Sequence, residues 1–182
     1  MSQKTLNASG YRPYQSGFTI VEMLMTLVIG AILLGYGIPE WADFVRNQRL
    51  QAAQTSLAAS VAHARGYALK KQVSVVICPG DTSGCSGSNQ WHHGWVAFED
   101  NNRNRRKDRG ERLVLVESAI PHDVHVFSSS HRNILRFTQM GFSPGSNASL
   151  WLCDSRGVDS GRSLIIANSG RIRLQNHTWR CH

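Results

Sequence analysis

Residues 17–26 read GFTIVEMLMT and open an apolar run that continues to Ile38 and stops at Pro39. As a helix, residues 18–38 rise about 31 Å, the thickness of one hydrocarbon core. Glu22 breaks the run. A carboxylate at that depth costs at least about 2.5–3.5 kcal/mol on insertion scales, which makes it a functional residue by default. Ahead of the run stand Lys4 and Arg12 and no acid. That bias holds the leader on the cytoplasmic side and sends the C-terminal part across a membrane. A secretory signal places its small-residue cut site after the apolar stretch. Here the small residue, Gly17, stands before it. A cut at Gly17 leaves the hydrophobic helix on the mature chain.

These residues resemble the class III signal of type IV pilins and type II secretion pseudopilins: Gly17, Phe18, Thr19, Ile20, Val21, Glu22, then Pro39 at the end of the apolar segment. The resemblance implies that a prepilin peptidase cuts after Gly17 and methylates the new amine of Phe18. It implies that Glu22 pairs with such an amine on a neighbouring subunit as a filament assembles, and that Pro39 kinks the helix.

Past Pro39 the apolar residues Leu50, Ala53, Leu57, Val61, Ala64 and Ala68 recur at three- and four-residue spacing, the stripe of an amphipathic helix. One helix from Phe18 to Lys71 is expected, about 80 Å long, loosened or bent at Gly35, Gly37 and Pro39. The remainder reads as strand: residues 73–78, 95–98, 113–117, 124–127, 135–137, 150–153, 164–167 and 171–174 are short β-branched or aromatic runs. Clusters of Gly, Asn, Ser and Pro separate them. The expected fold is α+β, with the amphipathic half-helix packed on antiparallel sheets. The expected organisation is a leader (1–17) that is removed, a membrane and filament-core helix (18–38), an amphipathic helix (39–71) and a β-rich head (72–182).

The four cysteines are Cys78, Cys85, Cys153 and Cys181. In an exported head an even count reads as disulfides, and sequence order favours Cys78–Cys85 and Cys153–Cys181. Four cysteines allow three connectivities. Zinc is the rival, but neither pair has close C-x-x-C spacing. The head stretches VICPGDTSGC, WHHGWVAFEDNNRN and SGRIRL, followed by a near-terminal cysteine, are similar to the GspH/FimT branch of the same superfamily. That branch joins minor pilins of type IV pili and a minor pseudopilin of type II secretion.

The net charge is +8 over 182 residues, a balance that points to anionic partners such as nucleic acid or lipid head groups. It is unevenly spread. Residues 103–112 hold six basic side chains, and no acid follows Asp159. The tail SGRIRLQNHTWRCH places Arg171 and Arg173 two apart, on one face of a strand, with Ile172 turned inward and Gly170 free to make the entering turn. Two guanidinium forks side by side suit adjacent phosphates. The G-R-x-R pattern is similar to that of FimT-type minor pilins, whose tail binds DNA during natural transformation. Arg162 and Arg180 are candidates to extend the patch. The alternative is that Arg171 and Arg173 make ordinary surface pairs with acids, and that Trp179 is a buried core residue.

Residues 100–111, DNNRNRRKDRGE, place Asp100, Asn102, Asn104 and Glu111 at the first, third, fifth and twelfth positions of a calcium loop. Arg105 stands where that loop needs glycine. Five cations against three acids leave the stretch at +2, which repels a divalent ion. It therefore reads as a solvated hairpin loop, and next as a phosphate-contacting one. His122 and His125, three apart, fall on opposite faces of a strand. His92 and His93 adjoin tryptophans. No nucleophile–base arrangement or paired carboxylate stands out. The chain reads as no enzyme, with no catalytic residue, no metal and no cofactor.

Two functions fit these residues. One is a minor type IV pilin of the FimT kind, binding double-stranded DNA through its phosphates for uptake in natural transformation. The other is a structural minor pilin or pseudopilin of the GspH/FimU kind, priming a type IV pilus or a type II secretion pseudopilus. Expected partners are other pilins, prepilin peptidase, inner-membrane lipid before assembly, and DNA in the first reading only. The expected location is the bacterial inner membrane as a single pass with a periplasmic head, then a pilus or pseudopilus.

Overall fold

The computed structural model describes residues 17–120 and 123–181, without the side chains of residues 36–40. The leader before Gly17, the side chains of Gly37 and Pro39, and His122 lie outside the described residues. Among the described residues one long helix, α1 (Ile20–Lys71), is followed by nine strands: β1 (Val75–Asp81), β2 (Gly84–Cys85), β3 (Trp95–Glu99), β4 (Leu113–Glu117), β5 (His125–Ser128), β6 (Leu135–Phe137), β7 (Ala148–Cys153), β8 (Arg162–Ile166) and β9 (Ile172–Gln175). The chain divides into two compact units, Met1–Ala42 and Asp43–His182.

In the first unit Thr19 caps α1, its Oγ1 accepting the Glu22 N–H at 3.2 Å, and the acid of the first turn complements the helix dipole. Phe18, Ile20, Val21, Met23, Leu24, Leu27, Ile32 and Leu33 are all more than half exposed. Among the described residues no helix is long and apolar enough to cross a membrane.

In the second unit α1 meets two antiparallel sheets. The first runs β2-β1-β3-β4, with β6 pairing on β1, and the second runs β5-β7-β8-β9. The stripe Leu50, Ala53, Leu57, Val61, Ala64 and Ala68 is buried, each at most 6% exposed. It shares one core with Val75, Ile77, Trp95, Leu135 and Phe137 of the first sheet and Leu150, Leu152, Leu164 and Ile166 of the second. The opposite face of the first sheet carries a smaller cluster, Val76, Cys78, Val96 and Phe98, so β1 and β3 are buried on both faces. Burying such side chains stabilises by about 1.5–3 kcal/mol each. One polar residue enters the stripe: Gln54 is buried, and its Nε2 donates to the carbonyls of Ser163 (2.8 Å) and Gln175 (3.0 Å). The amide is satisfied, and it fixes β8 and β9 against the helix.

Cys78 joins Cys85 across the β1–β2 hairpin, and Cys153 joins Cys181, tying the tail to β7 across 28 residues. A loop of that size contributes about 3.5 kcal/mol in the chain-entropy picture.

Arg156 is a second tie. Its guanidinium donates to Asp154 Oδ2 at 2.6 Å and to Asn47 Oδ1 of α1 at 2.9 Å. Burial pushes the Asp154 carboxyl up, but hydrogen bonds from Arg156 outweigh it and hold the group below the usual carboxylate range. A carboxylate depressed in the folded state contributes stability above its unfolded pKa, lost as pH falls through the folded value. Arg156→Met is expected to cost about 3 kcal/mol in urea melts at pH 7, because it leaves Asp154 buried and unpaired. It should also remove the loss of stability below about pH 4 that this carboxylate causes. A change under about 0.5 kcal/mol, the range of neutral surface substitutions, with an unaltered acid profile would refute this role.

Candidate functional site

The C-terminal strand sits at an edge. β9 pairs only with β8, in the register Ile165↔Arg173 and Ile166↔Ile172. Cross-strand partners share a face, so Ile172 lies beside buried Ile166, while Arg173 lies beside Ile165 on the other face. Arg171 and Arg173 are both exposed. The ion pairs among the described residues join Arg46, Arg49 and Arg156 to acids, and neither Arg171 nor Arg173 has a carboxylate partner. Among the described residues, the ordinary surface pairing that competes with a ligand role is therefore not made by either arginine.

The turn into β9 is built on backbone. Gly170 donates to the Ala167 carbonyl at 2.8 Å, and the Ala167 N–H donates to the Arg171 carbonyl at 3.0 Å. Gly170 has φ +74°, and a Cβ there would lie 2.2 Å from the Gly141 carbonyl oxygen and 2.7 Å from Arg65 Nε. Arg65 of α1 holds both flanks, donating to the carbonyls of Gly141 (2.9 Å) and Ser169 (3.3 Å). Gly170 thus makes the turn that leads into Arg171.

The other two candidate arginines are placed differently. Arg162 begins β8 on the face opposite Ile165 by strand alternation, and its Nη1 donates to Asn176 Oδ1 at 3.1 Å. The structure does not bring it to Arg171 and Arg173. Arg180 is exposed, with its Cζ 5.1 Å from the centre of the Trp151 ring, a cation–π contact. Trp179 beside it is 60% exposed, not a core residue. The sequence left both an exposed and a buried Trp179 open. The Cys153–Cys181 bridge anchors the tail covalently, and Thr178 supplies the buried contact instead.

In the first unit Gly17, Phe18 and Glu22 are exposed at the start of α1. Elsewhere, His92 stacks near His93 and His125, ring centres 4.2 and 5.0 Å away. Burial lowers its pKa, and its Nδ1 lies 3.2 Å from the Val126 carbonyl. Among the described residues no three His, Cys, Asp or Glu side chains form a metal-holding group.

Comparison with known proteins gives four similarities. Residues 53–170 match the family described as type II transport protein GspH. Residues 12–37 match the prokaryotic N-terminal methylation motif. The chain is 26% identical over 162 residues to the pilin-like protein PilA1 of Thermus thermophilus, covering 87% of this chain and 97% of that one. The fold is similar to crystal structures of the type IV minor pilin FimU of Pseudomonas aeruginosa in two crystal forms. Their TM-scores are 0.59 and 0.55, each at 20% identity, over 76% and 73% of this chain and 99% and 100% of theirs.

Proposed function

The chain belongs to the GspH family, a minor pilin or pseudopilin and not an enzyme, and on that premise we propose that it is a pilus subunit that binds double-stranded DNA through Arg171 and Arg173 for uptake. One observation carries the reading: Arg173 on the edge strand and Arg171 just before it are both exposed, and among the described residues neither has a carboxylate partner. Two guanidinium forks so placed match adjacent phosphates. Phosphate contacts carry no sequence information, so binding is general and weakened by salt. Before assembly the subunit spans the inner membrane by residues 18–38 with its head in the periplasm. Prepilin peptidase removes residues 1–17, and the methylated Phe18 amine enters the filament beside Glu22 of a sister subunit.

The test is a titration of the full chain in detergent micelles with duplex DNA at two salt concentrations. Micromolar-range, salt-sensitive binding is expected, in line with non-specific contacts. Arg171→Gln with Arg173→Gln is expected to weaken it by tenfold or more and to lower the salt slope by about 1.8, since each phosphate contact contributes about 0.9. Undiminished binding in the double variant moves the site to the arginines of the β3–β4 loop. Absence of binding at low salt leaves the structural priming role shared with GspH/FimU-type subunits.

A further inference from the structure

We propose that the loop between β3 and β4, residues 100–111, is a calcium site. Its spacing supplies hard oxygen ligands throughout: Asp100, Asn102, Asn104, Asp108 and Glu111 at the first, third, fifth, ninth and twelfth positions, and the Arg106 carbonyl at the seventh. Glycine is absent from the sixth position, where Arg105 stands. Arg105 nevertheless has φ +62°, the left-handed conformation that glycine ordinarily provides there. The turn is made despite the side chain. The Arg105 N–H donates to Asp100 Oδ2 at 3.3 Å. Glu111 closes the loop, accepting from the Asn101 N–H and the Asp108 N–H, both at 2.9 Å. Asn102 Oδ1 and Asn104 Oδ1 each accept one backbone N–H, at 3.1 and 2.7 Å, and each amide oxygen keeps a second lone pair for a ligand.

The observation that points to a cation is Asp100 itself. The residue is fully buried, and its Oδ1 has no hydrogen-bond partner. A buried carboxylate oxygen without a donor is costly. Oδ2 accepts from the Arg105 N–H, which ties the carboxyl to the loop's own backbone. Arg136 acts on Asp100 through space, yet its own buried Nε has no partner and no ion pair joins the two. A divalent ion among these oxygens supplies what Oδ1 lacks.

Loop charge sets the affinity. Arg103, Arg105, Arg106 and Arg109 are exposed, so water and salt screen their repulsion. Lys107 is engaged, its Nζ donating to the Asp108 carbonyl at 3.2 Å. The acids do not converge as a ready acidic cluster, so amide and carbonyl oxygens share the coordination. Both features place the site among weak extracellular calcium modules, with Kd of about 10⁻⁴–10⁻³ M.

Calorimetric titration of EDTA-treated full chain in detergent with calcium chloride tests the proposal. Binding in that range is expected, lost on Asp100→Asn and on Glu111→Gln. Arg105→Gly is expected to bind a few-fold tighter, because it removes one repelling charge near the ion. This variant keeps the ligands and relieves the backbone, so misfolding cannot account for a gain. No heat of binding up to about 10 mM calcium, above the weakest such modules, overturns the site. Binding that survives Asp100→Asn unchanged, or fails to tighten in Arg105→Gly, overturns it equally.

Discussion

Cells producing Glu22→Ala are expected to insert the subunit and cut it, with an N-terminus that still reads Phe18, yet sheared filaments should contain almost none of it. The acid lies in the first turn of α1, exposed. Around it Phe18, Ile20, Val21, Met23 and Met25 are each 62–80% exposed, an apolar surface that in isolation lacks any cover. In the assembly proposed above, a bilayer or the packed core of a filament would supply that cover and leave Glu22 a charge without water. The cation proposed to meet it at the same depth is a neighbouring subunit's Phe18 amine. At about 4 Å and an effective dielectric near 20 such a pair is worth about 4 kcal/mol. Losing it should lower incorporation by two to three orders of magnitude. Insertion and cutting act on the monomer, where no pair exists, so they should be spared or favoured. Glu22→Asp, which keeps the charge on a shorter arm, should restore part of the incorporation. Filaments containing Glu22→Ala at the normal ratio would overturn the assembly role. An uncleaved chain would move the fault to processing.

The helix was legible because its pattern is local. Six apolar residues at three- and four-residue spacing predict one buried stripe, and all six are in the core. Most strands were legible for the same reason, although β1, β7 and β8 begin or end two or three residues away from the expected limits. β2 was not. Two residues, Gly84 and Cys85, carry no alternation, and the strand exists because a disulfide closes the hairpin. Which strands make up each of the two sheets was equally hidden. It depends on β6 pairing with β1 across more than fifty residues, and pairing over such distances leaves no periodic trace.

The tail shows both sides. Spacing, a local rule, puts Arg171 and Arg173 on one face of an expected strand 171–174; the strand itself begins at Ile172, so it carries Arg173 and Arg171 precedes it. Spacing did not exclude Arg162, whose tie to Asn176 requires the β8–β9 register. The loop at residues 100–111 was hard to read for a related reason. Counting charges treats every arginine as if it faced the loop interior, whereas four of them face solvent. Only the backbone reveals that Arg105 already makes glycine's turn.

Gly170 separates scaffold from contact in the G-R-x-R pattern. Gly170→Ala is expected to cost about 2–4 kcal/mol in urea melts. About 1–2 of this comes from a side chain in the left-handed region, and the rest from the Arg65–Gly141 hydrogen bond that the new Cβ displaces. Gly145→Ala is the control. Its φ of +65° is similar, but a Cβ there meets nothing within 4 Å, so only the first part of the cost applies. The two substitutions should therefore differ by about 1–2 kcal/mol, although both replace a glycine of positive φ in a turn. DNA binding adds a second axis. Arg171→Gln with Arg173→Gln should leave the melt unchanged while weakening DNA binding, because among the described residues neither side chain has a carboxylate partner to lose. Gly170→Ala should lower stability and also weaken DNA binding, since the turn that aims Arg171 must shift to admit the methyl group. If Gly170→Ala lowered DNA binding without touching stability, the glycine would itself approach a phosphate. If the two alanine substitutions cost the same, the packing of Gly141 and Arg65 against the turn would not be what fixes the strand.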